Sequence, residues 1–288
     1  MATDQGPVVQ SALLRSELTR LRKENGLTQE QVAERLDWSP SKLIRVEGGR
    51  SAITKVDLDA LLTTYGVSSE SQRERLQALN RGARERPWWA GFRDELQPTY
   101  VEYVGYEAGA AAIRQFQWGV VPGLLQTQAY AEFITTNSIY ALQSASTVKL
   151  RMQRQAHMAQ RETPPRQYYV LDEAVIRRQV GISQDPDIMP QQLLHIAERA
   201  AAEDLLTVRV IPFTAGAHPG LSGSFTLLEF DGPMADLLYL DAGREAALIT
   251  GSDPRIGEYT DDFEVLVESA LSASDSIELI RAAAEAMS

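Results

Sequence analysis

Cysteine is absent from the 288 residues. Its absence excludes a disulfide scaffold, cysteine-ligated zinc fingers and a thiol nucleophile. Histidine is scarce, at three residues. His195 has Arg199 four positions on in place of a second ligand, so a helical metal pair is missing. No apolar run approaches the ~20 residues of a membrane span. The first ten residues carry neither the basic nor the apolar region of a secretory signal. The Gly-rich loop 214–224 lacks both the GxGxxG order and a P-loop lysine. Ser222 and Ser224 combine on paper with His218 and Glu173, but no nucleophile elbow frames either serine. The expectation is a cytoplasmic protein that is not an enzyme and needs no cofactor or metal.

What is present is an uneven charge. The chain is acidic, with a net charge of −11, but residues 1–86 hold fourteen basic and twelve acidic residues, a net of +2. Residues 87–288 hold fourteen and twenty-seven, a net of −13. Phosphate would be repelled by the second part, so nucleic-acid contact belongs to the first. A hydrophobic content of 44% fits ordinary globular folding throughout.

The first part divides by its caps and stripes. Residues 1–9 read as a disordered arm with Gly6 and Pro7 as breakers. Leu14, Leu18 and Leu21 then mark one face of a helix that Gly26 closes. Thr28 and Gln31 form a capping box ahead of Val32, Ala33 and Leu36. Ser39 is a second N-cap, and Pro40 falls at a first helical position, where its missing donor costs nothing. Leu43 and Val46 face inward, leaving Ser41, Lys42 and Arg45 outward. Thr54 opens a further helix with Leu58, Leu61, Leu62 and Tyr65 on one stripe. A short helix presenting Ser, Lys and Arg suits the major groove. Residues 68–86 read as a helical linker ending in Arg81, Arg84 and Arg86, which either touch phosphate or are simply solvated.

With these features, LTQEQVAERLDWSPSKLIRVEGGR and the leucine-bearing helix after it, residues 10–67 resemble the Xre-type helix-turn-helix family of phage and bacterial repressors. The resemblance implies a double-stranded DNA operator read by a homodimer. It places Gln29 on a phosphate, Ser41, Lys42 and Arg45 at base edges, and an internal ion pair between Arg22 and Glu47. Ser39 and Arg50 are further phosphate contacts on this reading. Pro40 stands where many relatives carry a base-reading polar residue, so readout there is weaker or shape-based.

From Pro87 the texture changes. Eight aromatic residues lie between Trp88 and Trp118, Trp89 among them; they read as core, with a ligand pocket as the alternative. A helix from about Thr99 carries Glu107 near its apolar face. Another, roughly 147–161, puts Arg154, His157 and Arg161 on one side, as a surface for a partner or anion or as an internal salt-bridged helix. Strands are expected at IRQFQW, RQYYVLDEAVI with a bend at Asp172-Glu173, LLTVRVIPF, SFTLLEF, DLLYLD and REAALIT, the last ones as an antiparallel meander because their connections are short. His218, in the Gly-rich loop between two of them, is a further ligand candidate. The fold class expected is therefore multidomain: an all-α helix-turn-helix module and, over 87–288, an α+β domain with an antiparallel sheet.

The fragments VGYEAGAAAIRQFQ, VPGLLQTQAYA, LDEAVIRR and IPFTAGAHPGLSGSFTLLEF resemble the long domain of actinobacterial WhiJ-like regulators, described as antitoxin-like. That resemblance implies transcriptional regulation and favours control through the C-terminal domain by a small protein encoded by an adjacent gene. It supplies no ligand, and a small-molecule effector is the alternative. It also leaves open an antitoxin-like interaction protein that binds DNA only for autoregulation.

Overall fold

A computed structural model describes residues 6–137, 145–232, 234–241 and 246–287. The chain divides into two compact units, Met1–Ala90 with Asp231–Met234, and Gly91–Phe230 with Ala235–Ser288.

The first unit holds five helices: α1 (Gly6–Glu24), α2 (Gln29–Arg35), α3 (Pro40–Glu47), α4 (Lys55–Thr64) and α5 (Glu70–Gly82). Leu18, Val32, Leu43, Leu58, Leu61, Leu62 and Leu76 are fully buried and join all five into one core. Each start is set locally. Thr28 accepts from the Gln31 backbone while the Gln31 side chain accepts from the Thr28 backbone, completing the expected capping box. Thr54 caps α4 and Ser69 caps α5 through their hydroxyls.

Two expectations need correction here. Residues 6–9 are not a free arm: Gly6 and Pro7 begin α1, and Val9 is buried. Proline is harmless in a first helical turn, whose N–H groups have no intrahelical partner. The stretch 68–86 is not a solvated linker, because α5 buries Leu76 and Leu79 against the bundle. Its polar residues hold it down as well. Gln77 donates to the Asp59 carboxylate, Arg75 pairs with Glu17 of α1, and Arg84 donates to the Ile53 carbonyl.

The second unit is built on a six-stranded sheet. In chain order its elements are α6 (Pro98–Glu107), β1 (Ala112–Gln117), α7 (Gln128–Asn137), α8 (Ala145–Ala159), β2 (Arg166–Asp172), α9 (Glu173–Arg177) and α10 (Ile188–Ala202). β3 (Leu206–Ile211), β4 (Phe225–Glu229), β5 (Leu237–Leu240), β6 (Ala247–Ile249), α11 (Pro254–Ser269) and α12 (Ala273–Glu285) complete it. The strand order is β3-β2-β1-β4-β5-β6. β1–β2 and β2–β3 pair parallel; β1–β4, β4–β5 and β5–β6 pair antiparallel. One face packs Phe116, Val170, Phe225 and Leu238 under Phe263 and Leu266 of α11. On α6, Tyr103 stacks on Tyr239 of β5 at 4.3 Å between ring centroids.

The meander β4-β5-β6 is as the short connections require. The sheet as a whole is α+β and mostly antiparallel, but its parallel half departs from the expected antiparallel sheet. Helices intervene between β1 and β2 and between β2 and β3, and such crossovers return the chain in the same direction. β3 is consequently not the neighbour of β4. The connection 212–224 is long enough to step across the ends of β2 and β1, so the rule for closely joined strands does not apply to it. The expected strand RQYYVLDEAVI ends at Asp172, which caps the short helix α9 in place of a bend, and most of the connection 241–243 lies outside the described residues. The last helix is capped by Ser272, which accepts from the Asp275 backbone. No helix among the described residues is long and apolar enough to cross a membrane.

Candidate nucleic-acid interface

The turn between α2 and α3 is made by Asp37 at φ 54°, a left-handed conformation that aspartate tolerates better than most residues. The Trp38 backbone then donates to the Ala33 carbonyl at 2.8 Å, fixing where α3 departs. Leu43 and Val46 anchor α3 in the core. At the far end Gly49 has φ 72°, and a Cβ there would lie 1.5 Å from Nη1 of Arg15. The left-handed backbone favours glycine there, and the Arg15 guanidinium lies in the space that a side chain would take.

Below α3 sits a three-residue polar knot. Arg22 of α1 donates to Glu47 through Nε at 2.8 Å and Nη2 at 3.0 Å, and through Nη1 to the Leu27 carbonyl at 2.9 Å. Gln29 donates to the same carboxylate at 2.7 Å. The bidentate pair expected between Arg22 and Glu47 is thus present. Its hydrogen bond to Glu47, opposed by partial burial, holds the Arg22 guanidinium above its ordinary pKa. One carboxylate therefore fastens the end of α3 to α1 and to the start of α2. The Gln29 amide nitrogen is directed to this knot, while the residue remains half-exposed at the start of α2.

The remaining residues expected at DNA separate into two groups. Ser39, Ser41, Arg45 and Arg50 are exposed. Ser39 makes no side-chain cap; its hydroxyl lies 3.3 Å from that of Ser41. Lys42 is turned aside, pairing with Asp57 of α4 at 2.9 Å and lying 3.8 Å over the Trp38 ring. Burial acts against the Asp57 carboxylate, but the Lys42 ammonium and the Thr54 hydroxyl outweigh it and hold its pKa below the usual range. The face of α3 that is open to solvent therefore consists of Pro40, Ser41, Arg45 and a residue the sequence pattern did not single out, Ile44, which is 45% exposed. The helical period alone puts position 44 beside 41 and 45, and that is the signal that identifies it.

In the second unit, four of the expected ligand residues turn inward. Arg154 is 5% and Glu107 2% exposed in their side chains, and they form a bidentate pair at 2.8 and 2.6 Å. Tyr103 donates to Glu107 at 2.5 Å, and Arg154 donates to the Tyr100 hydroxyl at 2.7 Å. Burial works against the Arg154 charge, but Glu107 more than offsets it, so the guanidinium stays ionised well above its ordinary value. Arg161 donates to the Ala110 carbonyl at 2.7 Å. Of the three residues expected to form a basic binding face, His157 alone is exposed. The internal salt-bridged reading of that helix is the one realised, because Glu107 supplies the buried counter-charge.

His218 is also buried, its Nε2 3.2 Å from the Asp172 carboxylate, which at the same time caps α9. In the first unit Trp89 is 2% exposed and meets Trp88 edge-on, which places it in core. Among the described residues no group of three or more His, Asp or Glu side chains is arranged to hold a metal ion. A groove of about 970 Å³ opens between α7 and α8, lined in part by Phe133, Val148, Lys149, Met152 and Ile188.

Comparison with known families agrees with this division. Residues 13–76 match the family described as a helix-turn-helix domain, and residues 100–282 match a domain of unknown function, DUF5753. No curated protein and no solved structure matches the chain. The helix-turn-helix match makes the first unit a DNA-binding module, and the second match covers more than half of the sequence. The chain belongs to the DUF5753 family and carries its domain behind a helix-turn-helix reader.

Proposed function

We propose that this protein is a sequence-specific transcriptional regulator that binds an operator as a dimer and is controlled through its DUF5753 domain. The observation that carries the reading is the face of α3, where Ser41, Ile44 and Arg45 are open to solvent while Leu43 and Val46 are buried. On this reading Arg45 reaches guanine O6 and N7, Ile44 meets a thymine methyl, and Ser41 takes a nearby base edge or phosphate. Ser39 and Arg50 hold the flanking phosphates, while Gln29 and Lys42 position the helix. Two readers on half-sites about one helical turn apart fit a helix this short, since one copy offers few base contacts.

The acidic domain is a binding protein, not an enzyme, in this proposal. His218 and Asp172 support that view, since the pair fixes a loop and caps a helix. The groove between α7 and α8 suits a small effector with an apolar body and an anionic group near Lys149. A protein partner is the other route of control. The test is selection of duplexes from a random pool by the full-length chain, followed by footprinting on the enriched sequence. An enriched two-fold-related motif supports the proposal, and recovery of unrelated sequences contradicts it.

A further inference from the structure

The sheet of the second unit exposes apolar side chains at one end. There β1, β2 and β3 finish and β4 begins, because the first three run parallel and β4 runs against β1. Trp118 follows β1 at 53% exposure, Phe213 follows β3 at 60%, and Leu221 precedes β4 at 65%. Val120 and Ile182, on connections leaving the same end, are 40% and 57% exposed. Adjacent strands lie about 4.8 Å apart, so these four strand ends span only ~15 Å.

The loop carrying Phe213 and Leu221 is pinned. The Phe213 backbone donates to Glu173 at 2.7 Å, and His218 meets Asp172. Ser224 donates to Gln117 at 2.8 Å and accepts from the Trp118 backbone at 3.3 Å. A Cβ on Gly220 would lie 2.3 Å from the Phe116 ring, so the loop is seated directly on the core. The apolar side chains are held out to water by a fixed backbone.

The same end is free of formal charge over long stretches. Neither 115–131 nor 210–228 contains Lys, Arg, Asp or Glu, although residues 87–288 carry a net charge of −13. Two copies of so acidic a domain repel each other wherever charge is displayed. The Trp118 end and the Phe213–Leu221 loop display no charge, which lowers that cost, while the connection that carries Ile182 exposes charge of both signs in Arg177, Arg178, Asp185 and Asp187. An isologous contact requires only that a surface fit itself. The area is also of the right order. Five large side chains exposed by about half leave on the order of 500 Å² of apolar surface. A stable interface buries about 800 Å² per partner, about 65% of it apolar at its core, which is the same amount.

We infer that this sheet end, centred on Phe213 and Leu221, is the self-association surface of the protein, and that its occupant is the same surface of a second copy. The inference rests on the dimeric reading above and names the face that performs it. Light scattering and sedimentation of the full-length chain, alone and with a single selected half-site, test it. Leu221→Lys and Phe213→Glu are the edge variants. Val265→Lys, at a site 44% exposed on α11, is the control.

The wild type and V265K are expected to be dimeric. L221K and F213E are expected to associate at least about thirtyfold more weakly, with unchanged far-UV circular dichroism and unchanged half-site affinity. A dimer that persists in both edge variants overturns the assignment of the face and leaves the dimeric reading standing. A wild type that stays monomeric overturns both. Loss of half-site binding in the wild type is a failure of the DNA-binding reading and is seen separately.

Discussion

Lys42 of the second helix-turn-helix helix is bound to Asp57 of the following helix at 2.9 Å, with its ammonium over the Trp38 ring. A residue that sequence pattern directs to the operator is thereby occupied in the free protein. A half-buried pair of this kind, its side chains 36% and 22% exposed, is worth on the order of 1 kcal/mol. Asp57→Asn should therefore release Lys42 at little cost in stability. Binding to non-specific duplex should strengthen, and the slope of log affinity against log salt should steepen by about one unit. An unchanged slope in salt titrations would show that Lys42 stays with the protein.

Ile44 makes a prediction of a different kind. Replacing thymine by deoxyuridine removes one methyl group, worth about 0.8 kcal/mol if buried against an apolar side chain. One or two thymines of the operator half-site should lose about fourfold in affinity on this replacement with the wild type, and nothing with Ile44→Ala. Equal losses in both proteins would sever the link to Ile44.

The Arg154–Glu107 pair should be costly to break and cheap to replace. Glu107→Gln leaves a buried guanidinium without its counter-charge, a loss of about 3–5 kcal/mol. The joint change Arg154→Met with Glu107→Leu removes both charges and should recover most of that stability in thermal unfolding. A double variant as unstable as E107Q would mean that the surrounding tyrosine hydroxyls, and not the charges, dominate.

The helical unit should weaken in acid. The hydrogen bond from Arg20, opposed by burial and aided by Arg75, holds the Glu17 carboxyl below its ordinary pKa, and Asp57 is also lowered. A carboxylate depressed in the folded state contributes stability that is complete above its unfolded value, about 4. That stability is lost as pH falls through the lower folded value. Urea unfolding followed between about pH 6 and pH 3 should show this decline, and it should be shallower in Glu17→Gln. Parallel profiles would assign the decline to other groups.

How much of this could be read from the chain itself varied with the range of the forces involved. Thr28 with Gln31, Ser39 with Pro40, and the spacing of Leu43 and Val46 are local signals, and the reader helices follow from them. The Arg22–Glu47 pair came from family resemblance, and the structure has it. Lys42 and Gln29 were harder, because their partners Asp57 and Glu47 lie fifteen and eighteen residues away and no periodic rule couples them. Arg154 likewise shared a helix face with His157 and Arg161, yet the face is internal because Glu107, forty-seven residues earlier, sits opposite. The parallel half of the sheet was hidden for a similar reason. Hydrophobic alternation marks a strand but not its neighbour, and the 212–224 loop steps over two strands. Residues 6–9 read as an arm because Gly6 and Pro7 are breakers, although Val9 is buried, and 68–86 read as a linker because their polarity masks Leu76 and Leu79.

The central claim is that α3 reads sequence chiefly through Arg45. The most direct test is titration of the selected operator, and of operators altered at each position, with wild type and Arg45→Ala. The account predicts a loss of about 1–3 kcal/mol confined to specific DNA, with discrimination relaxed at one guanine per half-site. Equal binding by R45A, or a uniform loss across all sequences with discrimination intact, would contradict it.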